Sequence, residues 1–133
     1  MATRQSDVVA AGNYADVAPS KGVVLAVVGT YVVTAETAIG DVIQMCPVPK
    51  GAKILDIKMT ADGGTASMTA SIGDGDDSER FLAAAAQTAA VAWTADAAFG
   101  YEYAAADTVD IETLIAAPTE GDTYTMTVMY LLD

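Results

Sequence analysis

Histidine is missing from this chain of 133 residues, cysteine occurs once, at Cys46, and positive charge is confined to six side chains. Each scarcity excludes something. Without histidine, Cys46 and the serines lack the usual general base, and the common Cys/His zinc patterns cannot be assembled. One cysteine cannot form an intrachain disulfide, which is compatible with synthesis in a reducing compartment. Six bases against 18 acids leave a net charge of −12, the wrong balance for neutralising phosphates, so no nucleic-acid partner is expected. Long apolar runs are also absent. The most apolar one, 23–33, is interrupted by Gly29, Thr30 and Tyr31 and is too short to span a bilayer. The first residues lead into no apolar signal core, so neither membrane insertion nor a cleaved signal is expected. Aromatic residues are only 7%, and alanine supplies much of the apolar content. The expected core is thin, a reason to anticipate association with another subunit or a docked protein.

The charge is unevenly placed. Through Lys58 the acids Asp7, Asp16, Glu36, Asp41 and Asp56 balance the bases Arg4, Lys21, Lys50, Lys53 and Lys58. Beyond it Arg80 is the sole base, so the later part carries the whole net charge. Solubility accounts for such a surplus, as does a charge-matched partner surface.

Two-residue alternation dominates what is present, the mark of half-buried strands. Leu55, Ile57 and Met59 alternate with Asp56, Lys58 and Thr60. Met68, Ala70 and Ile72 alternate with Ser67, Thr69 and Ser71. Between them Asp62-Gly63-Gly64 carries a hairpin signature, which predicts that these two strands pair with each other. Residues 22–35 are rich in valine and broken at Gly29-Thr30, giving two strands or one bent strand. A strand from Asp41 to Cys46 should stop at Pro47 and Pro49. The run Phe81–Trp93 has high intrinsic helix propensity through its alanines, but the surrounding pattern favours strand, a turn near Gln87-Thr88, and strand. Phe99, Tyr101 and Tyr103 share one face of a strand pattern. Val109, Ile111, Thr113 and Ile115 repeat likewise, and Tyr124, Met126, Val128 and Tyr130 form the closing set. About eight to ten short strands predict an all-β sandwich or barrel over 22–133, preceded by an extended arm over 1–21.

Candidate chemistry is sparse. Cys46, at the end of an apolar strand, reads as a small buried thiol. The loop Gly73-Asp74-Gly75-Asp76-Asp77-Ser78-Glu79 offers carboxylate oxygens to a hard cation through Asp74, Asp76, Asp77 and Glu79. It departs from the EF-hand spacing, and the alternative is a solvated loop whose last acid pairs with Arg80. Tyr101 and Tyr103 read as core or interface residues before a sugar-stacking platform. No enzyme and no cofactor are expected.

The segment Val-Ile-Gln-Met-Cys-Pro-Val-Pro-Lys-Gly-Ala-Lys-Ile-Leu-Asp (42–56), the stretch Ser-Ile-Gly-Asp-Gly-Asp-Asp-Ser-Glu-Arg-Phe-Leu-Ala-Ala (71–84), the tyrosines at 101 and 103 and the threonine-rich last strand resemble small virion structural proteins of tailed bacteriophages, of the capsid decoration (cement) type. The resemblance covers about residues 40–131. It departs from the family where a Gly-Asp-Ser-Gly-Asp type loop is compressed to 73–77. It implies a jelly-roll β-sandwich, made in the host bacterial cytoplasm and placed as a dimer or trimer on the capsid exterior. There it would bind the major capsid protein and bridge capsomers. The near-neutral N-terminal segment, with Arg4 and Lys21, is then expected to touch the shell. Rival readings are a tail or adsorption component binding host glycan, and a soluble β-sandwich binding a small ligand or calcium.

Overall fold

The computed structural model describes residues 2–10, 23–62, 68–87, 91–94, 99–114 and 120–132. In chain order the elements are β1 (Thr3–Gln5), α1 (Asp7–Ala10), β2 (Val23–Val32), β3 (Val42–Val48), β4 (Ala52–Asp62), β5 (Met68–Gly73), β6 (Leu82–Gln87), β7 (Val91–Thr94), β8 (Asp107–Leu114) and β9 (Thr123–Leu132). They build a five-stranded sheet, β1-β3-β8-β5-β6, and a four-stranded sheet, β2-β9-β4-β7. Every neighbouring pair is antiparallel except β1 with β3. From β2 onward the chain changes sheet at each connection, save between β5 and β6. That interleaving is the jelly-roll order, an all-β sandwich.

Alternation explains the packing. Tyr124, Met126, Val128 and Tyr130 of β9 point inward beside Ile57, Met59 and Ala61 of β4, and meet Ile43, Met45, Val109, Ile111, Ala70 and Ile72 of the other sheet in one buried cluster. Outward positions of β9 remain partly open. Among the described residues no helix is long and apolar enough to cross a membrane.

Several expectations are corrected by the pairing. β4 and β5 are strands, but they lie in different sheets and do not form a hairpin; residues 63–67, where the sequence predicts the turn, lie outside the described residues. The hairpin is β5 with β6, closed by the acidic loop. Along β4 a register shift between Ile54 and Asp56 moves Ile54 into the core and leaves Leu55 half-buried, as an extra residue in a strand does. Pro47 does not end β3; it pairs with Thr108 of β8. At that point β1 has already ended, so β3 is locally an edge and a missing donor is tolerated. β2 runs unbroken through Gly29-Thr30 against β9. Glycine is required there because a Cβ would collide with the Met45 carbonyl of the facing sheet and lie 3.0 Å from Ser6 Oγ. The alanine run forms strands, β6 and β7, but in opposite sheets. Phe99 is 75% exposed and leaves the tyrosine face.

The start of the N-terminal segment is docked on the sandwich. β1 adds to β3 in parallel, and Arg4 Nε donates to Asp41 Oδ2 at 2.7 Å. Ser6 Oγ donates to the Met45 carbonyl, and the Thr30 N–H donates to Asp7 Oδ1 at 2.7 Å. Val9 is buried. Residues 11–22, with Lys21, lie outside the described residues.

Candidate functional site

The β5–β6 loop is built around one carboxylate. Gly73 permits the fold-back, since a Cβ there would meet the Asp77 and Ser78 backbone. Asp74 N–H donates to the Asp77 carbonyl at 2.9 Å, and the N–H groups of Asp76 and Asp77 donate to Asp74 Oδ1 at 3.1 and 3.0 Å. The other oxygen, Oδ2, accepts from Arg80 Nε at 2.6 Å and from the Tyr103 hydroxyl at 3.0 Å. Burial alone would raise the Asp74 pKa, but the Arg80 bond and the Asp77, Tyr103 and Asp76 donors outweigh it, and the net shift is downward. The partner of Arg80 is therefore Asp74, the first acid of the loop, and not Glu79.

Aromatic rings back this ion pair. The Arg80 guanidinium lies 4.5 Å from the Tyr101 ring centroid, within cation–π range. Phe81, Tyr101 and Tyr103 pack edge-to-face at centroid separations of 5.0 to 6.4 Å. Burial, and then the neighbouring Asp74 charge, push the Tyr103 hydroxyl far upward, so it stays a donor. Tyr101 and Tyr103 are held in register by backbone bonds to the start of β4, including Ile54 N–H to the Tyr101 carbonyl at 2.7 Å.

On the outer face of the five-stranded sheet the loop overhangs a groove of about 410 Å³ whose walls include Val42, Gln44, Asp74, Asp76, Asp110 and Glu112. Asp110 is 6% exposed there, and its Oδ1 accepts from the Thr108 hydroxyl at 2.6 Å. Burial pushes its pKa up to about 7, with the charges of Asp107 and Asp74 adding to the rise and Thr108 opposing it. Burial also raises Asp107, helped by Asp74 and Asp76.

Of the loop acids named from sequence, Asp74 is spent on Arg80, Tyr103 and the loop backbone, while Asp76, Asp77 and Glu79 are exposed. Asp77 Oδ1 accepts the Glu79 N–H at 3.0 Å. Among the described residues no group of three or more Asp, Glu or Cys side chains is arranged to hold a metal. Cys46 is buried, 3.4 Å from the Met126 carbonyl, and desolvation pushes its thiol up to about 12, so it carries no thiolate at neutral pH. Arg4 is committed to Asp41 and to the Glu36 carbonyl. Sequence reasoning missed Asp110. Its alternation with Val109 and Ile111 marked it as outward, and nothing local shows that the loop would cover that face.

No family model matches the chain, and no curated protein matches it. Solved structures do. A chain from the capsid of Ralstonia phage GP4 superposes with a TM-score of 0.78 at 21% identity, covering 98% of both chains. A chain from the capsid of cyanophage Pam1 gives 0.65 at 22% identity, over 88% of this chain and 92% of that one. A chain from the acid-stable capsid of Helicobacter pylori bacteriophage KHP30 gives 0.67 at 17% identity, over 86% and 92%. At these identities the shared property is the fold.

Proposed function

We propose that this chain is a non-enzymatic structural protein of a bacteriophage virion, bound to the outer surface of the capsid and stabilising it by bridging capsomers. The observation that carries the reading is the end-to-end match, over 98% of each chain, to a component of a phage capsid. The site chemistry agrees with it. The strongest polar constellation, Asp74-Arg80-Tyr103, is inward-looking and satisfied, which holds a loop in place without presenting a reactive group. Bridging works by mass action: a protein that binds only the assembled shell shifts the equilibrium away from its dissociation.

In this reading the shell contact falls to the N-terminal segment. Arg4 acts by fastening β1 to Asp41 and Glu36, and Lys21 supplies positive charge to the contact. The test is occupancy. Purified protein added to capsids lacking it should bind at a defined stoichiometry in electron cryomicroscopy and raise the temperature at which the shells release DNA. Removing residues 1–20 should lower that occupancy. Undiminished binding would overturn the assignment of the contact, and failure of the intact chain to bind would overturn the reading itself.

A further inference from the structure

The groove beneath the acidic loop holds carboxylates that the chain itself does not neutralise. Asp110 is 6% exposed on its wall, and Oδ1 accepts a single bond, from the Thr108 hydroxyl at 2.6 Å. Its Oδ2 receives no donor from any described residue. A carboxylate offers about four acceptor sites, so most of the capacity of this nearly buried acid is left open on the cavity. Asp76 of the loop and Glu112, two residues further along β8, line the same cavity. Among the described residues no lysine or arginine does. Arg80 is committed to Asp74 and Arg4 to Asp41, while Lys53 and Lys58 belong to β4 in the other sheet.

We propose that this groove receives the side chain of a lysine or arginine from a partner protein, which on the reading above is a protein of the capsid shell. Four features select that ligand. A buried carboxylate is costly until a cation bearing hydrogen-bond donors meets it, and Asp110 has an oxygen waiting for one. Among the described residues the acids do not converge as the ligands of a metal ion do, so a cation with donors spread over a fork or a long arm fits better than a bare ion. The cavity, about 410 Å³, far exceeds the roughly 30 Å³ of one water, and Val42 on its wall gives an aliphatic stem an apolar contact. Thr3 of β1 also lines it, so the groove adjoins the N-terminal segment proposed to touch the shell. The inference rests on that proposal only for the identity of the partner.

The test has two arms. On the isolated full chain, n-butylammonium chloride is titrated while the carboxyl carbons of Asp110 and Glu112 are followed by nuclear magnetic resonance, with n-butanol, sodium chloride and calcium chloride as controls. The ammonium alone should give saturable shifts at both carbons. It should also lower the pH at which Asp110 takes up its proton, because it binds the carboxylate form. The charged groups acting there are Asp107 and Glu112 on its own strand and Asp74, with Arg80, and Asp76 in the loop; β1, β3 and β5 bring only Thr3, Val42, Gln44 and Gly73. Asp110→Asn and Glu112→Gln should each weaken binding at least tenfold, whereas Glu120→Gln, exposed outside the groove, should not; if one groove variant fails to fold, the other carries the test. No saturation by the ammonium, or saturation by calcium in its place, would overturn the inference. On capsids lacking the protein, Asp110→Asn and Glu112→Gln should need at least tenfold more protein than the native chain for equal occupancy. Native occupancy unchanged in both variants would overturn the groove and leave the shell reading standing. Shells left bare by a native chain that binds the ammonium would overturn the shell reading and support the groove.

Discussion

Asp74 is where one side chain decides the most. It is 5% exposed and receives Arg80, Tyr103 and two loop N–H groups. Removing it leaves a half-buried guanidinium with only the Tyr101 ring to face and a buried Tyr103 hydroxyl without its acceptor. Asp74→Ala should cost about 2–3 kcal/mol in denaturant unfolding, below the figure for fully buried pairs because Arg80 keeps some solvent. Asp110 acts in the opposite sense. Its folded pKa, about 7, stands above the ordinary 3.8, so between those values the folded chain holds a proton that the unfolded chain has lost. Stability from this group is therefore present in acid and declines as pH rises through 4 to 7. Asp74 and Asp41, whose pKa values are lowered, add stability above 3.8 that is lost on further acidification. The chain should be more stable at pH 5 than at pH 8 in thermal melts. Asp110→Asn should remove most of that difference. None of this was legible in sequence: Asp74 and Asp110 look like any other acids in an acid-rich chain, and only the fold-back at Gly73 and the overhang of the loop separate them.

Strands could be read one by one because a two-residue period is a local property. Val109, Ile111, Tyr124, Met126, Val128 and Tyr130 all point where alternation put them. Pairing is not local. The Asp-Gly-Gly signature after β4 suggested a hairpin, yet a jelly roll sends β4 and β5 to opposite sheets. The same logic hid the role of Gly29. It looked like a break in β2 and proves to be a point of close approach between sheets, with the Met45 carbonyl where a methyl group would stand. Gly29→Ala should therefore destabilise by about 1–3 kcal/mol, the usual range for overpacking, although alanine suits a strand no worse than glycine does. A normal unfolding midpoint for that variant would show that the sheets can separate at this point without cost.

At the scale of the whole molecule, the first ten residues join the two sheets: β1 and Ser6 bind β3, while Asp7 binds the Thr30 N–H of β2. Deleting residues 1–10 should expose the β3 edge and lower the melting temperature by several degrees, separately from any effect on shell binding. A truncated chain with native thermal stability would reduce this segment to an ornament of the sandwich. The position of Cys46 has a further use. Its sulfur, on β3, lies between the two layers against the Val27 carbonyl of β2 and the Met126 carbonyl of β9 in the facing sheet, and it is the chain's only thiol. A maleimide dye can reach it only when the layers part, so the rate of labelling is a built-in gauge of opening, readable on the isolated protein.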